Sequence, residues 1–139
     1  MSSTITVPAG FSYVLAALLS TSFVLRWQSD YMVSKARKAA GIPYPQMYAE
    51  KAEHAASKAA QVFNCTQRAH QNTLEGLPAI LVTTLISAIY SPLVAASACG
   101  FWSFARILYT LGYSTGEPKR VRPSTYEFIA SAYFPHSVK

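Results

Sequence analysis

The sequence predicts an all-α integral membrane protein, an antiparallel bundle of transmembrane helices with three clear spans and a short fourth helix. Of its 139 residues, 51% are hydrophobic and 13% are charged, about half the ~25% of charged residues in a typical soluble domain. The apolar residues form long uncharged stretches, and the lysines and arginines lie between them. This length suits a single domain, residues 1–139.

The composition also excludes several classes of protein. Twelve Lys and Arg against six Asp and Glu give a net charge of +6. Nucleic-acid binding would explain that sign but not the scarcity of charge, and the hydrophobic content excludes disorder. The two cysteines, Cys65 and Cys99, lack Cys or His neighbours at metal-ligand spacing. We therefore expect neither a nucleic-acid partner nor a metal.

The first predicted span is Val7–Trp27, which carries no charge before Arg26. About 20 apolar residues in helical geometry cross a hydrocarbon core of ~30 Å. A cleaved signal peptide would need a basic start, which Met1–Thr6 lacks. We therefore expect a retained transmembrane helix.

The second and third predicted spans form a helical hairpin. The second runs from about Phe63 to Tyr90, and the third is Leu93–Tyr113, interrupted by the charge of Arg106. The turn signal Tyr90-Ser91-Pro92 between them is so short that the two helices must be antiparallel. The Ala- and Lys-rich segment Ala55–Ala60 predicts that the second helix begins outside the membrane.

The fourth apolar segment, Ser124–Phe134, lies between two prolines and contains Glu127. It would form ~16 Å of helix, about half of what a span needs. We therefore expect a partial helix there.

The distribution of basic residues predicts the orientation, because cytosolic loops of membrane proteins are enriched in Lys and Arg. The N-terminal tail and the hairpin turn carry none, so both basic loops are expected to face the cytosol. The basic residues of these loops are Arg26, Lys35, Arg37, Lys38, Lys51, Lys58, Lys119, Arg120 and Arg122.

Charged residues inside the predicted spans point to a functional site. A charge within a span costs at least ~2.5 kcal/mol on insertion scales and is functional by default. On the second helix, Arg68, Asn72 and Glu75 share one face. Glu75 and Arg106 each lie ~21–23 Å from the hairpin turn, so both are expected in the same layer near the cytosolic boundary.

The third helix contributes a second polar face, formed by Arg106, Tyr109 and Tyr113. Together the two faces predict a mostly cationic pocket where membrane meets cytosol, with Arg37, Lys38 and Arg120 nearby. Guanidinium groups bind carboxylates, and a carboxylate binds an amine. A small anionic solute with several carboxylates and an amine would fit, and glutathione is one such peptide, although the residues alone do not single it out.

Other interpretations of these residues stay open at this point. Arg68 and Glu75 could pair with each other or with Arg106 as a structural polar cluster. The two tyrosines could belong to an interfacial aromatic belt, and the loop cations could serve only as positive-inside anchors. His70 has no histidine partner at metal-ligand spacing, so we expect no metal there.

Several motifs of this chain match a known family. The most specific is Arg68-Ala69-His70-Gln71-Asn72-Thr73-Leu74-Glu75, and it is preceded by Phe63-Asn64-Cys65. The others are Phe104–Tyr109, Gly112–Pro118, Ser34–Lys38 and Tyr44–Tyr48. With these motifs, roughly residues 10–120 resemble the MAPEG family, membrane-associated proteins of eicosanoid and glutathione metabolism. Within that family the resemblance is strongest to the branch of microsomal glutathione transferase 3.

The resemblance implies a homotrimer of four-helix protomers that holds glutathione between neighbouring protomers. It assigns glutathione binding to Arg37, Arg68, His70, Asn72, Glu75, Tyr109 and Tyr113. It also implies that Arg120 holds the thiolate, with Arg122 as a second candidate because Pro118 precedes both. From its place on the facing helix, Arg106 is expected to belong to the same glutathione site and to brace Glu75.

The chain departs from the leukotriene-synthesising branch at two positions. Gly76 stands where that branch has a tyrosine, and Lys38 stands where it has an arginine proposed as a proton donor. Lys38 therefore joins Arg120 as a candidate catalytic residue, and leukotriene synthesis is not expected as the main role.

The resemblance implies a membrane-bound glutathione transferase with peroxidase activity. It would activate glutathione as a thiolate, conjugate it to hydrophobic electrophiles and reduce lipid hydroperoxides drawn from the membrane lipids. The expected location is the endoplasmic reticulum or outer mitochondrial membrane, with the site facing the cytosol. The alternative is a non-catalytic lipid-binding scaffold of the lipoxygenase-activating type.

Overall fold

A computed structural model of the chain describes residues 6–117, and within that range every regular element is helical. The predicted fourth helix, Ser124–Phe134, lies outside the described residues, as do Arg120 and Arg122. The elements in chain order are α1 (Phe11–Arg26), a π-helical segment (Trp27–Val33), α2 (Ser34–Ala40), α3 (Lys51–Ala56), α4 (Lys58–Tyr90) and α5 (Pro92–Tyr113).

The first three elements form one uninterrupted helix. The residues at both junctions, Trp27 and Ser34, have right-handed helical dihedral angles. The helix is bounded by Gly10 and Gly41, whose φ angles of 86° and 67° favour glycine because they disfavour a Cβ atom. The helix therefore continues well past the end of the predicted first span.

Helices α4 and α5 form the predicted hairpin. Helix α4 begins at Lys58, as the Ala- and Lys-rich segment predicts, and the Ser57 hydroxyl accepts a hydrogen bond from the Ala60 N–H at its start. Ser91 alone separates the two helices, and Pro92 occupies the first turn of α5, where its missing N–H costs no helical hydrogen bond.

Small residues form the buried cluster between α1, α4 and α5, and large apolar residues lie on the exterior of the bundle. The buried cluster between α1, α4 and α5 consists of Val14, Ala17, Ala88, Ala95, Ala96 and Cys99. In contrast, Phe23 and Phe101 are 74% and 73% exposed. Small residues at helix contacts and large ones outside are typical of helices that pack in lipid.

Among the described residues, two helices are long and apolar enough to cross a membrane by length and composition, α4 and α5. Helix α1 has 16 residues before the π-helical segment begins. An apolar bundle is therefore present, with two such helices where the sequence predicts three clear spans.

The segment between α2 and α4 is held against α4. Its apolar residues Ile42 and Ala49 pack in a cluster with Phe63. The side-chain amide of Asn64 makes two hydrogen bonds with the backbone of Ala49. It donates to the carbonyl oxygen at 3.0 Å and accepts from the N–H at 2.7 Å. The loop over residues 41–50 therefore lies beside the N-terminal part of α4.

Enlarging a residue in the small-residue core should destabilise the bundle. Ala88 is fully buried in the cluster, so Ala88→Leu should cost about 1–3 kcal/mol by overpacking. The exposed neighbour Ser87 provides the control, because Ser87→Leu adds a similar side chain outside the core. Thermal unfolding in detergent micelles should show a lower midpoint for Ala88→Leu alone, and equal midpoints would contradict the packing described here.

Candidate functional site

Arg68 and Glu75 form an ion pair along one face of α4. The guanidinium Nη1 donates to the carboxylate Oε1 at 3.0 Å across two helical turns. The two side chains are 48% and 51% exposed, so each keeps donors or acceptors open to a ligand. The predicted shared face is therefore present, and the two charges pair with each other.

Arg106 approaches the same level from α5, and it contacts Asn72 rather than Glu75. Its Nη2 donates to the Asn72 Oδ1 and its Nε donates to the Thr73 Oγ1, both at 3.0 Å. The expectation that Arg106 braces Glu75 is wrong, because Asn72 and Thr73 take its donors while Arg68 holds the carboxylate. The predicted common layer of the two helices is nevertheless confirmed.

The two tyrosines of α5 extend this cluster. The rings of Tyr109 and Tyr113 lie 5.1 Å apart, and the Arg106 guanidinium lies 4.3 Å from the Tyr109 ring centre. Such a distance permits a cation–π interaction. Both Arg68 and Arg106 are close enough to Tyr109 to interact with its hydroxyl electrostatically. The aromatic pair therefore belongs to the polar cluster of the site.

A fully buried glutamine joins this cluster to the first helix. The Gln28 Nε2 donates to the Thr73 Oγ1 at 2.9 Å and to the Thr110 Oγ1 at 2.6 Å. The Gln28 Oε1 lies 3.4 Å from the Nδ1 of His70. A search for charged residues misses Gln28 because it is neutral. Because Arg26, Ser29 and Asp30 flank it, the sequence gives no signal that singles out Gln28.

An open cavity of about 380 Å³ lies beside the ion pair, between α4 and the loop. It is lined by Met47, Gln67, His70, Gln71, Leu74 and Glu75. The Tyr48 hydroxyl donates to the Gln71 Oε1 at 2.6 Å and also interacts with Arg68. The loop therefore contributes a tyrosine to the site that helix spacing alone could not identify.

The sequence model of the MAPEG family matches residues 11–134 of the chain, a range that includes all of these side chains. The chain belongs to the MAPEG family. This family is membrane associated and includes glutathione-dependent transferases and peroxidases. No solved structure matches the chain.

In this MAPEG protein, Arg37 lies apart from the Arg68–Glu75 pair. Its guanidinium lies 4.3 Å from the Tyr44 ring centre and 4.6 Å from that of Phe63. It donates to the carbonyl oxygens of Pro43 and Gln46, and its buried Nε has no partner among the described residues. In the structure, Arg37 therefore stabilises the loop over residues 41–50.

Lys38, which follows Arg37 in α2, is exposed. Since Arg37 is buried against the loop and Lys38 faces outward, the two neighbouring cations have different surroundings. The structure therefore leaves Lys38, of the two, available to a molecule from outside.

Removing the Arg37 side chain should loosen the loop. Arg37→Ala removes two hydrogen bonds and two ring contacts, and we expect a loss of about 2–3 kcal/mol. Limited proteolysis in detergent should then cut within residues 41–50. Lys35→Ala, which removes an exposed charge from the same helix, is the control. Unchanged stability with weaker glutathione binding would instead show that Arg37 contacts the ligand.

Proposed function

We propose that this protein is an integral membrane glutathione transferase that also reduces lipid hydroperoxides. One observation carries the proposal: two guanidinium groups, a carboxylate, an amide and two phenols gather at one level of otherwise apolar helices. Charges in such helices are expensive and are retained mainly for function. Membership of a family that includes glutathione transferases supports the same activity.

The Arg68–Glu75 pair matches one end of glutathione. The glutamyl end of this peptide carries a carboxylate and an ammonium group on the same carbon atom. Arg68 would bind that carboxylate, and Glu75 would bind the ammonium, so the ligand replaces one ion pair by two. Because both side chains are half exposed, a ligand can reach both of them.

The exposed polar face of α4 supports an assembled form. In lipid, a half-exposed ion pair would be costly, and the same helix exposes Val82 and Ile86 further along. A neighbouring protomer that covers this face would shield the pair and enclose the ligand. We therefore propose a homotrimer with glutathione between protomers, in the endoplasmic reticulum or outer mitochondrial membrane with the site facing the cytosol.

The proposed chemistry is activation of the glutathione thiol. A free thiol has a pKa near ~8.5, so only a small fraction is thiolate at neutral pH. A guanidinium beside the sulfur stabilises the anion, and each unit of pKa depression corresponds to ~1.36 kcal/mol. Arg120 is proposed for this role and Lys38 for proton donation, while Tyr109 and Tyr113 would line the ligand. The membrane would supply the apolar electrophile or hydroperoxide.

Removing the charge of Glu75 should weaken glutathione binding. Glu75→Gln keeps the shape of the side chain and loses the ionic contact with the ammonium, so we expect affinity to fall at least about tenfold, or ~1.4 kcal/mol. Isothermal titration in detergent micelles measures this. The control Glu50→Gln removes the same charge at an exposed position. Equal affinity in all three proteins would favour a structural role for the ion pair.

Removing the proposed thiolate partner should raise the pKa of bound glutathione without abolishing its binding. Arg120→Ala, alone and together with Arg122→Ala, is compared with the unaltered protein by the ultraviolet absorbance of the thiolate across a pH series. We expect the absorbance to appear at higher pH in the variants. Activity that survives the double substitution unaltered would refute this assignment. No thiolate signal from the unaltered protein at any pH would favour the lipid-binding scaffold.

A further inference from the structure

The buried side chain of Gln28 lies where all three long helical segments meet. It belongs to the π-helical segment, and its exposed fraction is 0%. Its Nε2 donates to Thr73 of α4 and to Thr110 of α5, so both amide protons have acceptors. An amide with this environment is fixed in position, because any rotation would leave a buried polar group unsatisfied.

The hydrogen bonds of the two threonines fix the orientation of the amide. The Thr73 hydroxyl donates to the Ala69 carbonyl oxygen at 3.0 Å, and the Thr110 hydroxyl donates to the Arg106 carbonyl oxygen at 2.7 Å. Each hydroxyl has one proton, so toward Gln28 both can only accept. The NH₂ group must therefore face the threonines, which leaves the Gln28 Oε1 to face His70.

This orientation determines the protonation of His70. The Gln28 Oε1 is an acceptor, so the Nδ1 of His70, 3.4 Å away, must carry the proton that lies between them. In a neutral imidazole the other nitrogen then has a free lone pair. His70 also lines the open cavity beside Glu75. His70 is therefore a cavity-lining residue whose Nε2 can accept a hydrogen bond.

The same amide positions Arg106. The Thr73 Oγ1 accepts from the Gln28 Nε2 and from the Arg106 Nε at 3.0 Å, so one oxygen holds both groups. On the same edge of the guanidinium, Nη2 donates to Asn72. Without Gln28, Thr73 would lose one of the two donors that hold its oxygen in place.

We propose that Gln28 is a positioning residue of the glutathione site. It keeps His70 in the Nδ1-protonated form, so that Nε2 accepts a hydrogen bond from an N–H or S–H group of the ligand. Through Thr73 it also holds Arg106 against Asn72. The identity of the ligand rests on the proposed function, whereas the tautomer of His70 depends only on the contacts of Gln28.

The tautomer is measured directly by nitrogen NMR. Protein labelled with ¹⁵N-histidine is recorded in detergent micelles at about pH 8, where imidazole is neutral, and His70→Gln identifies the His70 signals. We expect a protonated Nδ1 and an unprotonated Nε2, and loss of that preference in Gln28→Met. Predominant protonation of Nε2 in the unaltered protein would overturn the proposal, and this result does not require Gln28→Met to fold.

Kinetics distinguish positioning from general stabilisation. We expect Gln28→Met to raise the KM for glutathione about tenfold and to leave the KM for the electrophile unchanged. The control is Ser103→Ala, which removes a different hydrogen bond between α1 and α5, from Ser20 at 3.0 Å. An equal rise of KM in both variants, or no rise in Gln28→Met, would overturn the positioning role. An enzyme inactive toward glutathione with the expected tautomer would refute the proposed function alone.

Discussion

The hydroxyl group of Thr73 joins the three long helical segments at the level of the candidate site. It accepts from Gln28 of the first segment and from Arg106 of α5, and it donates to the backbone of its own helix. In an apolar bundle there is no water to replace a missing partner, so polar groups must satisfy each other. The positions of Gln28 and Arg106 therefore depend on this one oxygen.

The polar residues of the site consequently divide into two sets. Around Thr73 and Gln28 the donors and acceptors are used within the bundle, and this set acts as a frame. Arg68 and Glu75 use only part of their capacity on each other and are half exposed. A ligand can engage the second set without breaking the first. Arg68 and Glu75, the pair proposed for ligand binding, therefore lie beside a frame whose hydrogen bonds are made within the bundle.

Sequence reasoning identified features that depend on spacing along a single helix. It located the break between α4 and α5, the early start of α4 and the shared face of Arg68 and Glu75. It failed where the answer depends on which residue of another helix lies opposite. Helical spacing gives the depth of Arg106 but not its rotation about the axis, so its partner was assigned one turn too far along α4.

The π-helical segment shows a second limit of such reasoning. Along α1 and the π-helical segment the buried positions run Val14, Ala17, Thr21, Val24, Gln28 and Val33. Their spacing is that of an α-helix up to Gln28, and the final step of five residues fits a wider turn. A regular α-helix could not keep both Gln28 and Val33 on the buried face. The wider turn thus lets one helix supply the buried amide of the site and, beyond it, the apolar contacts that hold the loop against α4.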